Sequence, residues 1–460
     1  MKKHSTTTPA LSRRQFIGRT AAAAVGAALL PHGTATAEPA PTTLPEPPKK
    51  YCPFRAAGVK APATPTAPTE EWWQGVRARF DLKPEVTFLN AGTVGPIPIS
   101  VREARARVER EIAEDPGTYA SRIFSFEDVR KHIASFVNGD IDEIAITRST
   151  TEGLNIFAFG LDWKSGDEVI LANQEHSGAI NPFKALEQRN GIKIKWVDLP
   201  VPVTLTKEQI IAAYERAITP RTKLIVASHV TYKSGLLLPI KELAELAHAH
   251  GLLISVDGAQ ALAALPVDVR ALGVDHYAAP GQKWLLAGTG TGFTWIRKDI
   301  QERVRTLTGW YDPQFNSPRV NLHSARRYEQ TGQKNVAGSN SIVEAVAFNK
   351  VVGPARIEGR IRHLAARLKS GLSAIKEVQL WTPESPTLSA GLTAFTLGKL
   401  SSDALVAALR KDNIYVRTIP FEGKTGVRAS THIYNSPEEV DRFLERLRGY
   451  ASSGLPDEKA

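Results

Sequence analysis

Asp257 and Lys283 are the residues whose types and spacing point most directly to chemistry. The apolar run Leu252-Leu-Ile-Ser-Val-Asp-Gly-Ala-Gln260 reads as a buried strand that delivers Asp257 and Gln260 to its carboxyl end. Lys283 follows Asp257 by 26 residues, inside Ala279-Pro-Gly-Gln-Lys-Trp284 and ahead of the glycine-broken stretch Gly288-Thr-Gly-Thr-Gly-Phe293. An acid and a lysine so arranged are what pyridoxal phosphate requires. The amine forms a Schiff base with the cofactor, and the carboxylate keeps the pyridine nitrogen protonated, so that the ring draws electrons from the substrate.

Other candidates also fall where strands end. Thr147-Arg-Ser-Thr-Thr-Glu-Gly-Leu-Asn155 lies where a strand turns into a helix. The hydroxyls of Ser149, Thr150 and Thr151, with free amides at the helix start, make a phosphate cradle or an ordinary Ser/Thr cap. His176, in Asn173-Gln-Glu-His176, could stack on a cofactor ring or serve the structure alone. Ser228 and His229 end another strand, where either could hydrogen-bond a cofactor. Arg428, on a late strand, is a candidate bidentate clamp for a substrate carboxylate, or else a surface arginine. No metal site is read in this set.

The elements that must position these groups alternate. Val86–Asn90, Ile144–Thr147, Glu168–Ala172, Ile192–Val197, Lys223–Ser228 and Leu252–Val256 read as strands, with helices between most of them. Residues 99–114 have the charge-rich periodicity of an exposed helix, and Lys241–His250 is a helix ending on Gly251. Short apolar strands separated by helices predict an α/β fold with a mostly parallel sheet covered on both faces, with ligands at the strands' carboxyl ends. Beyond about residue 335, strands at Thr393–Leu397, Ile414–Arg417 and Val427–Ser430 and a helix from Pro437 to Arg448 predict a smaller α+β domain. The expected organisation is a large domain over 71–335 and a small one over 336–460.

The protein opens with Met-Lys-Lys, then Ser12-Arg-Arg-Gln-Phe-Ile-Gly18, an Ala/Gly/Leu run to Leu30 and Ala35-Thr-Ala37. This order predicts a twin-arginine signal peptide over 1–37, cleaved after Ala37, and export to the periplasm or another extracytoplasmic space. The apolar run is too short for a comfortable membrane span. That route carries folded proteins, so a cofactor could be loaded before export. Residues 38–70, rich in Pro, Ala and Thr, read as a tether. Removing the five basic residues of 1–37 lowers the formal charge from +11 to +6, with no basic block, which gives little support to nucleic-acid binding. Cys52 is the only cysteine, so no intramolecular disulfide can form.

Taken together, the sequence resembles the class V aminotransferases of fold type I, and within them the branch that includes isopenicillin N epimerases. The resemblance runs from about Phe88 to Leu447. Phe88-Leu-Asn-Ala-Gly-Thr-Val-Gly-Pro-Ile-Pro98 is similar to the family's opening segment, which implies Asn90 near the substrate. By the same resemblance Ser149, Thr150 and Thr151 meet the phosphate, His176 stacks on the pyridine ring, and Ser228 belongs to a cofactor-lining strand. Asp257 pairs with the ring nitrogen, Gln260 touches the phenolic oxygen, Lys283 carries the cofactor, and Arg428 takes the substrate carboxylate. Pro280 and Gln282 stand where the family usually has serine and histidine; Gln282 can still donate to phosphate and Pro280 cannot. Tyr328–Asn335 loosely resembles a segment that family dimers lend to the partner's phosphate, which implies a homodimer in which the stretch around Thr331 reaches across.

The implied activity is Cα chemistry on a small-molecule amino acid substrate, aminotransferase or epimerase-like, with Lys283 as general base. Two alternatives stay open: a β-lyase cleaving a C–S bond, and a binding protein that keeps the fold without catalysis. The persulfide relay of cysteine desulfurases is excluded, because no cysteine follows Cys52.

Overall fold

The computed structural model describes residues 68–119, 126–307 and 323–456. The predicted leader and cleavage site, and nearly all of the tether, lie outside the described residues.

The strands, in sequence order, are β1 (Thr87–Phe88), β2 (Ile144–Thr147), β3 (Glu168–Ala172), β4 (Lys193–Val197), β5 (Thr222–Ser228), β6 (Leu253–Asp257), β7 (His276–Pro280), β8 (Gly292–Ile296), β9 (Val378–Leu380), β10 (Leu392–Leu397), β11 (Ile414–Tyr415), β12 (Arg417–Phe421) and β13 (Lys424–Ser430). Seven form one sheet in the order β2-β8-β7-β6-β5-β3-β4. Neighbours from β7 to β4 run parallel, while β8 is antiparallel to both β2 and β7.

Both faces of the sheet are covered, which is why its strands are apolar throughout rather than alternating. Ile170, Ile225 and Ile254 join one hydrophobic cluster, and Val169, Leu171, Leu224 and Val226 join the other. The β4 edge strand is different. It exposes Lys193 and Trp196, as an edge with one pairing partner permits.

Two strands of this sheet escaped the periodicity. In β7 a histidine and a proline interrupt the apolar pattern, and β8 is short and follows a run of glycines. Because β8 returns antiparallel beside β7, no crossover helix is needed, and the connection between them is a loop containing Lys283. Pro280 ends β7 opposite Gly292, and the next ladder bond is supplied by the Gly281 N–H to the Thr291 carbonyl at 2.8 Å.

The second sheet, β12-β13-β10-β9, is antiparallel. Leu364, Leu368, Phe395 and Phe443 pack around it, the first two from the helix Pro354–Ser373 and the last from Pro437–Ser453. The strand expected over Ile414–Arg417 divides. Ile414 and Tyr415 pair in parallel with β1, whereas Arg417 starts β12. No helix among the described residues is long and apolar enough to cross a membrane.

Candidate active site

The carboxyl ends of β2, β6 and β7 open on a cavity of about 250 Å³. Of the residues singled out from sequence, Ser149, Thr150, Thr151, His176, Asp257, Gln260, Gln282, Lys283 and Arg428 line it, although they come from both sheets.

Ser149 is the N-cap of the helix Thr150–Gly160, its hydroxyl accepting from the Glu152 N–H at 3.2 Å. First-turn amides have no intrahelical acceptor, so those of Thr150 and Thr151 present partial positive charge to the cavity end of the helix. The Thr150 hydroxyl is buried and has no hydrogen-bond partner among the described residues. His176 caps the helix Ser177–Asn190, and its Nδ1 accepts from the Gly178 N–H at 3.0 Å. That bond places the ring proton on Nε2 in the neutral form. Burial lowers the His176 pKa, so the neutral ring is favoured, and the ring meets Tyr232 edge-on at 4.9 Å.

Asp257 ends β6, and its Oδ1 accepts from the Ala259 N–H at 2.8 Å. Burial raises its pKa against the opposing pull of the Lys283 charge. Lys283 answers in the other direction. Burial pushes its amine down to about 8, the Asp257 carboxylate resists, and Arg428 and Arg417 push further in the same direction as burial. Gln260 is held at both ends of its amide: Nε2 donates to the Gly92 carbonyl, and Oε1 accepts from Trp284 Nε1, each at 2.9 Å. One amide hydrogen is left for a ligand. Lys283 itself sits on a tight turn, with Leu286 at φ +66° three residues later.

Arg428 projects from β13. It donates from Nη1 to the Tyr232 carbonyl and from Nη2 to Thr93 Oγ1, both at 3.1 Å, while its buried Nε has no partner among the described residues. Burial, and then the charge of Arg417, hold its pKa down to about 10.

Three candidates lie off the cavity. Ser228 is buried against Glu175, donating from its N–H at 3.0 Å and from its hydroxyl at 2.6 Å; burial pushes that carboxyl up to about 8. Asn90 stands behind the wall, accepting the Thr93 hydroxyl at 2.8 Å. His229 is buried on the Tyr277 hydroxyl at 3.1 Å and is also not part of the lining. Thr93, Tyr232 and Arg417 line the cavity without having been singled out. Arg417 had a readable signal, a charge within a strand facing Arg428, but their pairing depends on a register that only the fold reveals.

The residues present fit pyridoxal phosphate. A phosphate matches the unpartnered Thr150 hydroxyl and the free helix N-terminus; a pyridinium matches the buried Asp257, whose charge is otherwise poorly solvated; an aldehyde matches Lys283.

Comparisons with known proteins bear on the family and the fold. The profile of the family "Aminotransferase class-V" matches residues 102–443. The sequence is 31% identical over 390 residues to the isopenicillin N epimerase of Amycolatopsis lactamdurans, covering 82% of this protein and 98% of the relative. It is 27% identical over 401 residues to a probable cysteine desulfurase of Methanothermobacter thermautotrophicus, covering 83% and 98%. Among solved structures, the cystine C-S lyase C-DES in complex with cysteine persulfide superposes with a TM-score of 0.74 at 27% identity, over 79% of this protein and 98% of that one. A lysine-to-alanine C-DES variant with glycine covalently linked to its PLP cofactor matches at a TM-score of 0.73 and 26% identity, over 83% and 99%.

Proposed function

This chain belongs to the class V aminotransferase family, a pyridoxal-phosphate enzyme of fold type I, and from that premise we propose that it acts at Cα of an amino acid as an aminotransferase or epimerase-like enzyme. One observation carries the reading: Lys283 and Asp257 face a single cavity with the free N-terminus of the helix Thr150–Gly160.

When bound, pyridoxal phosphate supplies an electrophilic carbon for an amine and a ring that withdraws electrons from the substrate. The amides and hydroxyls of Ser149, Thr150 and Thr151 would hold the phosphate. Asp257 would hold a proton on the ring nitrogen, and His176 would lie against the ring. Arg428 orients the substrate carboxylate. Lys283, with its amine brought close to neutrality, takes the proton from Cα as general base. The place where a proton is returned then separates inversion at Cα from transfer of the amino group.

A second reading is cleavage of a C–S bond in the substrate's side group. The likeness to C-DES favours it, and with Cys52 as its only cysteine this protein would act without a thiol relay from late in the sequence. Export by the twin-arginine route and assembly as a homodimer, with the stretch around Thr331 reaching the partner, complete the proposal; they rest on the leader sequence and on the family resemblance.

The test is the visible spectrum of purified wild-type and Lys283→Ala protein before and after borohydride, followed by product analysis across amino acids. A wild-type band that borohydride abolishes and the variant lacks supports the reading. An amino acid of inverted configuration or a new amino/keto pair supports the first activity, while released thiol or persulfide assigns the second. Absence of any band after adding pyridoxal phosphate overturns both.

A further inference from the structure

Arg417 and Arg428 face each other across adjacent strands. They are directly paired in the β12–β13 register, both line the cavity, and neither forms an ion pair with an acid among the described residues. Like charges placed directly opposite on a sheet destabilise it. Such a conflict persists where a ligand resolves it. Both guanidiniums instead share one neutral acceptor, the Thr93 hydroxyl, at 3.1 Å from Arg428 and 3.2 Å from Arg417. Thr93 has one hydroxyl proton, and that goes to Asn90.

Charges elsewhere do not offset the pair. Asp257 is the sole acid in the described lining, and Lys283 already draws on it. The two arginines also differ in setting. Arg428 is buried with its Nε unpartnered among the described residues, suited to a fixed bidentate carboxylate, whereas Arg417 lines the cavity yet remains solvent-exposed. One monocarboxylate would neutralise Arg428 and leave Arg417 uncompensated.

We propose that Arg417 is a second anion-binding residue and that the substrate is a dicarboxylic α-amino acid, its α-carboxylate on Arg428 and its distal carboxylate on Arg417. This rests on the reading that an amino acid reacts at Lys283. On binding, long contacts to a neutral hydroxyl are exchanged for shorter, stronger charge-assisted ones.

The test is calorimetric binding of length-matched, unreactive acids to the holoenzyme: glutarate against pentanoate, and adipate against hexanoate. Wild type, Arg417→Ala, Arg417→Lys and Arg428→Ala are compared, with the cofactor band recorded for each. The expected result is dicarboxylate binding roughly tenfold or more tighter in wild type, from one added charge-assisted contact. Arg417→Ala should close that gap with the cofactor band retained, Arg417→Lys should restore part of it, and Arg428→Ala should weaken both classes. Three results overturn the proposal: equal binding in wild type, a gap that survives Arg417→Ala, or loss of the cofactor band in Arg417→Ala, which would assign this arginine to the phosphate. A wild type that takes up no cofactor sinks the reaction itself, and the calorimetric gap, read on the protein alone, then decides the anion pair separately.

Discussion

Gly95 packs against the backbone of Lys283 so closely that a Cβ on Gly95 would collide with the Lys283 carbonyl oxygen. The Gly95 N–H also donates to the neighbouring Gln282 carbonyl at 2.8 Å. The glycine-rich segment after β1 is therefore a brace for the lysine loop. Gly95→Ala should displace that loop, lowering stability by about 1–3 kcal/mol as overpacking does. Cofactor retention in the visible spectrum should fall with it, in a protein that still folds by circular dichroism. Full retention at unchanged stability would show that the brace is dispensable.

Lys283 should react as an amine of depressed pKa. Its folded value of about 8 lies below the ordinary 10.5, so the neutral, nucleophilic form accumulates as pH rises through about 8. Capture of added pyridoxal phosphate by cofactor-free protein should therefore rise between about pH 7 and 9 and level off above. A rate still climbing steeply near 10.5 by stopped-flow absorbance would contradict the environment described. Between about 8 and 10.5 the unfolded state binds the extra proton, so this group makes stability increase with pH in that window.

Asp257→Asn keeps the shape of the site and removes its buried charge. The turnover number should fall by about 10²–10³, the usual loss when a preorganised electrostatic group is removed. The cofactor band should persist, because Lys283 and the phosphate cradle are intact. Loss of the band together with activity would make Asp257 a determinant of binding instead.

Away from the cavity, Arg130 and Glu329 form a buried bidentate pair at 2.8 and 2.9 Å, and Glu329 also accepts from the Ile146 N–H on β2 at 2.7 Å. Burial opposes ionisation, yet Arg130, Lys334 and the Ile146 amide hold the Glu329 carboxyl down to about 2. Its contribution to stability is thus present above about pH 4.5 and is lost as pH falls toward 2. Glu329→Ala removes the bidentate partner of a buried guanidinium, which keeps Glu127 at 3.1 Å and the Ile144 carbonyl at 2.9 Å, and should cost about 3 kcal/mol, the low end for a broken buried pair. Denaturant midpoints at pH 7 and pH 3 check this: the variant should lose less than wild type on acidification.

Much of the site was legible because its chemistry is carried by residue types at strand ends. Asp257, Lys283, His176 and the Ser149–Thr151 hydroxyls were marked by apolar runs that stop at polar residues, and the structure gathers them in one cavity. Ser228 carried the same mark but is taken up by the buried Glu175, a partner from the turn after β3 that no local pattern announces. Strand β7 was illegible because a histidine and a proline break its apolar run, and β8 because a buried antiparallel return strand has neither alternation nor a crossover helix to announce it.

Residue order alone specifies the parallel α/β plan, the lysine and its acid, and the absence of any cysteine after Cys52, because burial patterns and reactive groups are local properties of the polypeptide. Folding in three dimensions is what sets Arg417 across from Arg428, gives both of them Thr93, and puts Gly95 under Lys283. These relations join segments hundreds of residues apart in some cases. They depend on sheet register and on close backbone approach, and neither leaves a periodic trace in the order of residues.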